Sequence, residues 1–460
     1  MNYKLLFIIS AMLVSLLPLS GCVSNAKKAQ AIVNEGIYQI DRGDTEKAKQ
    51  SFEKALKTDP ENPSATSMKG MLTIEKGEYA KGYDLCRKAL MKDPENALVR
   101  LNLARAYLLK HRLRRAEAEA VRATELDPSL ADSYALLGKI YTEMGKQKEA
   151  DEMLNKALQL CSTKPVTLVY RGDAFLREGK LDEAEKSYEK AVGLNVQCDG
   201  AYVGMAEVAL RQGNMEVAMK KAKYAIDINK ENAQAHLIAG KAFLAGGSPG
   251  KAIEELERAV HIDSRLPDGH YLLGKVYIEA GEGKRALSNL EKAVDLNPPD
   301  AEPYCDLASV YFAMNRPDQA ETMLNKAMEI NPGSPDPYII KAQFLNRHGR
   351  PDEAQKSLEK AVSKAPLNPL PHIYLSQFYI DRRKPAEARK SAEEALALSR
   401  GNPLALYCLA SSYAISGKSA EAIKTLKEAI KNGFRDKRKL VKDHAWDSLR
   451  SNPEFTSLVR

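Results

Sequence analysis

The sequence predicts an all-α solenoid, and three observations carry that prediction. Alanines from Ala55 to Ala429 recur every 34 residues, twelve times without a slip. Seven residues before each stands a second small residue, beginning Ala48, Gly82, Ala116 and ending at Ala422. Between these marks the apolar residues keep helical spacing, broken at fixed points by glycine or proline. A constant period of this length is the signature of a stacked repeat. Counted from Ala29, twelve units of 34 residues end at Asp436.

Composition agrees with such an array. The chain has 460 residues, 44% hydrophobic and 28% charged, which is too long for a single hydrophobic core. Repeats avoid that limit because each unit packs on its neighbours alone. No change in charge or apolar content along the array marks a second globular domain.

The first residues are read apart from the rest. Lys4 precedes the apolar run Leu5 to Leu17, which is short for a bilayer span and fits the core of a signal peptide. The run leads into Leu19-Ser20-Gly21-Cys22, which resembles the lipobox of bacterial lipoproteins. That resemblance implies a signal peptide over 1–21 and cleavage before Cys22, whose thiol takes a diacylglyceryl group. A palmitate-type acyl group on the new N-terminus completes the expectation, and two or more chains anchor stably where one does not. Residue 23 is Val rather than Asp, which points to the periplasmic face of an outer membrane. Removing residues 1–21 takes away Lys4 alone, so the formal charge falls from +8 to +7. The charge is spread out, and no nucleic acid is expected as a partner. Residues 22–28 read as a lipidated start and short linker.

Each unit then reads as helix, turn, helix. In the fourth, residues 131–164, Tyr134, Leu137, Gly138 and Tyr141 share a helical face. Gly145-Lys146 breaks it, and Ala150, Leu154 and Ala157 continue the apolar stripe in a second helix. Asp or Asn before Pro closes many units, as in Asp59-Pro60, Asp127-Pro128 and Asn331-Pro332. Units five to seven carry Val196, Lys230 and Ser264 where that proline stands, so longer helices are expected there.

Numbered within the unit, position 8 is Gly or Ala in eleven units and Ser376 in the other. Position 11 carries aromatics such as Tyr107, Tyr141, Phe175 and Tyr277, with Ala at 20 and 27 and Pro at 32. This pattern resembles the tetratricopeptide repeat over residues 29–436. The resemblance implies a right-handed superhelical solenoid of about twelve helix-turn-helix units. Residues 437–460, with the single tryptophan Trp446, resemble the capping segment that closes such arrays. Their basic cluster of Arg435, Lys437, Arg438, Lys439 and Lys442 reads as the wet face of the cap or as a contact for an anionic polymer.

Motifs for chemistry are sparse. Gly246-Gly247-Ser248-Pro249-Gly250 matches the hydrolase string G-x-S-x-G, but it falls in an interhelical turn with no strand before it. His236 and His270 share position 4 and read as packing residues. Apart from Cys22, the five cysteines form no metal-binding spacing, and Cys161 and Cys198 are the pair closest to bridging. No cofactor, no metal and no enzymatic activity are expected.

By the same resemblance, a ligand would lie along the concave wall formed by the first helices. No Lys at position 5 and no Asn at position 9 means that clamp-type recognition of a carboxylate terminus is not expected. The groove is expected to use Leu101, Arg105, Lys139, Asp173, Arg177 and Glu207, with Arg211, Lys241, Tyr271 and Lys275 beyond them. Four opposite-charge pairs stand four residues apart there: Lys139–Glu143, Asp173–Arg177, Glu207–Arg211 and Lys275–Glu279. The function expected is a lipid-anchored scaffold of the bacterial envelope, holding envelope proteins as peptide or helix. Such lipoproteins serve secretion, pilus or exopolysaccharide-export assemblies. Direct binding of a polysaccharide through groove and cap is the alternative.

Overall fold

The computed structural model describes residues 24–41, 44–75 and 78–459. Cys22 and the signal segment lie outside the described residues. Those that are described form helices and turns, with no strand among them. The chain divides into two compact units, one up to Ser264 and the other from Arg265.

The first unit holds helix pairs from Asn25–Asp41 and Thr45–Thr58 to Ala233–Ala245 and Pro249–Ile262. Its first helix takes in residues 25–28, which the sequence placed in a linker. Ser24 acts as the cap, its carbonyl accepting from the Lys28 amide at 3.1 Å. The second unit runs from Pro267–Glu279 and Gly283–Asp295 to Pro403–Ile415 and Ser419–Lys431. It closes with helix Lys437–Lys442, a 3₁₀ turn His444–Leu449 and helix Pro453–Val459.

The small-residue ladder forms the seam inside each pair. Ala116, Ala123, Ala150, Ala157, Ala184 and Ala191 are all fully buried. Across that seam, positions 8 and 24 share one volume. Where position 8 is glycine, a larger side chain lies over it: Phe52 over Gly36, Leu154 over Gly138, Leu256 over Gly240. Where position 24 is alanine, position 8 is never glycine: Ala104 with Ala120, Ala206 with Ala222, Ser376 with Ala392. A Cβ on Gly138 would come 2.6 Å from Leu154 Cγ, a crowding that three other repeats accommodate with alanine opposite leucine, at Ala308–Leu324, Ala342–Leu358 and Ala410–Leu426.

The largest occupant is Tyr188, which needs two glycines. A Cβ on Gly172 of its own repeat would lie 2.4 Å from the ring, and one on Gly204 of the next repeat 2.2 Å. Position 6, where Gly204 stands, carries Leu136, Tyr170 or Ile238 in neighbouring repeats.

Helix ends follow two rules. Position 15 is left-handed in each repeat where it is described: Gly145, Gly179, Gly213, Gly247, Gly281, Gly349 and Gly417 have φ near +70 to +77°. His111, Asn315 and Arg383 adopt the same conformation at φ 51, 57 and 55°. For a side chain such as that of Arg383 this costs roughly 1 kcal/mol. The hydrolase-like string is such a turn, with Gly247 at φ 70° between two helices.

At the other end, the expected helix extension in units five to seven does not occur. Those second helices stop at Leu194, Ile228 and Ile262, as their proline-bearing counterparts do. An Asx turn ends the helix without help from proline: Asn195 Oδ1 accepts from the Gln197 amide at 2.9 Å, and Asn229 Oδ1 from Glu231 at 3.1 Å.

The tail packs on the last repeat. Tyr407 stacks on Phe434 at 4.5 Å, and Trp446, fully buried, stacks on Phe455 at 5.2 Å. Leu440 and Leu449 fill the space beside them. Cys161 and Cys198 are free thiols.

Gly204→Ala is expected to destabilise the first unit by about 1–3 kcal/mol, the range for overpacking. Adding Tyr188→Leu should recover most of the loss. Denaturant titration of the two single variants and the double variant checks this, and additive losses would contradict it.

Candidate functional site

First helices are covered on both sides, so few of their side chains reach the surface. In Ala131–Glu143, Ala135, Leu136, Leu137, Gly138 and Ile140 are buried, while its partner Gln147–Leu160 buries only Ala150, Leu154 and Ala157. Position 5 mostly faces the core: Leu101, Ala135, Leu237, Ile339 and Tyr407 are buried. Leu101, expected to line the groove, therefore packs with Ala104, Ala120 and Leu136 and is not a contact residue. Its helix is flanked on both sides, which the pattern of one unit alone does not reveal.

Positions 9 and 13 do reach the surface, and there neighbouring repeats are bonded together. Lys139 Nζ lies 2.8 Å from Asp173 Oδ2 and 3.2 Å from Glu143. Glu143 also takes Arg177 of the next repeat. The other Asp173 oxygen accepts from the Tyr188 hydroxyl at 2.9 Å. Of the four pairs expected within single helices, Lys139–Glu143 and Glu207–Arg211 form, the latter at 3.3 Å. Asp173 and Arg177 instead bond across the repeat boundary, because side chains 34 residues apart stand side by side on adjacent first helices. Likewise Lys275 reaches Glu302 at 3.3 Å rather than Glu279.

The network extends in both directions. Arg105 lies 3.6 Å from Asp132, which also takes Lys164 at 2.7 Å. Arg211 donates to the Leu176 carbonyl at 2.7 Å. Lys241 is half-buried. In the second unit Tyr271 donates to Asp306 Oδ2 at 3.0 Å.

Electrostatics follow the geometry. Burial alone would lower the Lys139 pKa, but Asp173 and Glu143 hold it above its ordinary value. Burial and Asp173 together push the Tyr188 phenol up. Partial burial raises Asp306 above its ordinary 3.8, against the opposing pull of Tyr271 and Lys275. These side chains hold one another in position. Among the described residues, no group of three His, Cys, Asp or Glu side chains stands together as a metal centre would need. His236 turns to Glu255 at 2.7 Å and His270 to Asn289 at 3.2 Å, each on the second helix of its own repeat.

Sequence reasoning missed one feature. A cleft of about 700 Å³ lies between first-helix residues Gln377, Ile380 and Asp381 and tail residues Arg438, Lys439 and Lys442. The basic cluster of the tail was the signal for it.

Tetratricopeptide-repeat family models match residues 73–140, 277–344 and 131–164, and again 33–97, 171–232, 341–403 and 375–434. A TPR-repeat model matches 240–281. The chain is therefore built of tetratricopeptide repeats and belongs with the proteins that carry them. No curated protein matches it. Among solved structures, MamA is 28% identical, with 35% of this chain and 94% of MamA covered at a TM-score of 0.32. Yeast Tom70 is 16% identical over 86% of this chain and 98% of its own, at 0.45. Pseudomonas aeruginosa PilF is 18% identical over 47% and 98%, at 0.41.

Asp306 yields a pH test. Because folding raises its pKa, its contribution to stability is present at acid pH and is lost as pH rises through the folded value. The stability of wild type minus that of Asp306→Asn should fall as pH rises from below 3.8 to neutrality. Denaturant midpoints across that span check it, and a flat difference would contradict it.

Proposed function

We infer that this tetratricopeptide-repeat protein is a non-catalytic scaffold that binds protein partners on its first-helix face. The observation that carries the reading is the lattice of inter-repeat ion pairs around Lys139, Asp173, Glu143 and Arg177. It holds polar groups at one-repeat intervals in fixed positions, so a bound peptide or helix is read by register rather than by bulk charge. Preorganisation of this kind lowers the ordering cost of binding. Arg177 and Arg211 keep 49% and 44% of their side-chain surface exposed, and Lys275 keeps 41%. They are the groups that remain available to a partner, together with Glu207 and Tyr271.

The finer part of the proposal places the scaffold in the bacterial envelope, anchored through lipid on Cys22 at the periplasmic face of the outer membrane. Support comes from Leu19-Ser20-Gly21-Cys22 after an apolar run. Among the described residues no helix is long and apolar enough to cross a membrane. Its partners would be envelope proteins of a secretion, pilus or exopolysaccharide-export assembly.

Two experiments test this. Pull-down from detergent-solubilised envelope should recover a protein partner with wild type and lose it with Arg177→Ala plus Arg211→Ala. Lys139 is a poor choice for that test, because Lys139→Glu would crowd a third carboxylate against Asp173 and Glu143. Unchanged protein partners alongside lost polysaccharide binding would overturn the reading in favour of direct glycan recognition. Separately, metabolic labelling with palmitate should mark wild type and not Cys22→Ala, and labelling that persists in the variant would refute the anchor.

A further inference from the structure

The cleft beside the tail differs from the first-helix face of the first unit in one respect: three of its four Lys and Arg side chains have no partner. Arg383, Arg438 and Lys442 line it, and among the described residues none of these three side chains makes an ion pair, hydrogen bond or ring contact. Three carboxylates, Asp381, Asp436 and Asp443, line the cleft as well, and each already accepts a hydrogen bond from a neutral donor. Asp436 Oδ1 caps the short tail helix by accepting from the Lys439 amide at 2.9 Å. Asp443 accepts from the Ala445 amide at 2.8 Å and, through its other oxygen, from the Tyr407 hydroxyl. Asp381 accepts from the Gln377 side-chain amide at 3.1 Å. The fourth cation, Lys439, lies 4.9 Å over the Tyr407 ring.

Two further observations narrow the occupant. Ile380 and Ile415 supply an apolar wall, and no Tyr, Phe or Trp side chain lines the cleft. The volume of about 700 Å³ falls within the usual range of ligand pockets. A peptide can bring carboxylates to the three cations that have no side-chain partner and an aliphatic side chain to the isoleucines. A sugar polymer would want an aromatic platform, which is missing.

Arg383 adds a constraint of its own. It occupies position 15, where seven other repeats place a left-handed glycine, and it holds φ 55° without one. Glycines at that position have open space around their Cβ, so packing gives no reason for a long side chain. The side chain that replaces glycine here lines the cleft.

We propose that this cleft binds an acidic peptide segment of a partner protein, its carboxylates paired with Arg383, Arg438 and Lys442 and an aliphatic side chain set against Ile380 and Ile415. The proposal deepens the scaffold reading and rests on it, but uses a site separate from the ion-paired face.

The test uses a fluorescein-labelled octapeptide alternating Glu and Leu, with its Gln-Leu counterpart as control, titrated against the full chain by fluorescence anisotropy. Wild type should bind the acidic peptide and ignore the control. Arg438→Ala and Lys442→Ala should each weaken binding at least about tenfold, as expected for loss of a charge-assisted bond. Arg383→Gly separates function from folding: it should weaken binding similarly while leaving the thermal midpoint equal or higher. Equal binding by wild type and a triple variant, or no binding by wild type, would overturn the proposal. So would oligogalacturonate binding more tightly than the peptide, which would make the cleft a glycan site. If the cleft fails while the envelope pull-down still depends on Arg177 and Arg211, the scaffold reading stands and only the cleft is withdrawn.

Discussion

Close approach of two helices at small residues is the constraint on which the rest of the structure depends. Ala48 and Ala55, Ala150 and Ala157, Ala422 and Ala429 leave no accessible surface, and their lack of bulk sets the gap between the helices of a pair. Once that gap is set, position 8 answers to position 24: glycine lies under Phe52, Leu154 or Tyr188, and where position 24 shrinks to alanine, position 8 is alanine or serine, although alanine also stands opposite leucine at Ala308–Leu324, Ala342–Leu358 and Ala410–Leu426. The polar face depends on the same gap. Lys139 reaches Asp173 because tightly packed pairs bring side chains 34 residues apart within 2.8 Å.

The fold was legible because its signal is repeated. A steric rule stated twelve times in one register survives any single exception, so the helix pairs, the turns and the tail packed on the last repeat could be read from alanine, glycine and Trp446 alone. Helix ends were read less well. Proline is one stop signal, yet Asn195 and Asn229 end their helices through side-chain turns, a local interaction that a proline count ignores. The candidate site was legible only in part. Charge at positions 9 and 13 was visible, but pairing within a helix was favoured because sequence shows spacing along one helix and hides the neighbour. Leu101 was misplaced for the same reason, since burial from a second side leaves no mark on its own repeat.

Two kinds of charged surface result. In the first unit, Lys139, Arg105, Arg177 and Arg211 all have partners within the protein. A partner binding there must compete with, or fit around, bonds already made, which favours shape and register over raw charge. In the second unit the side chains of Arg383, Arg438 and Lys442 line a cleft without such bonds, which Asp381, Asp436 and Asp443 line too. Formal charge is similar in the two places, and the difference lies in whether the carboxylates nearby are spent on capping and hydroxyl bonds.

Departures from the repeat consensus sort in the same way. Gly204 breaks the pattern at position 6, and its reason is internal: the Tyr188 ring occupies the space where its Cβ would stand. Asn315 and His111 break the glycine rule at position 15, but both residue types visit the left-handed region more readily than most. Arg383 has neither excuse. It has no local side-chain bond to offset its backbone strain, no packing neighbour that demands bulk, and a guanidinium on the wall of the cleft. Strain kept without a structural return is where function is to be sought in a repeat protein, because every other unit shows what the unstrained solution would have been.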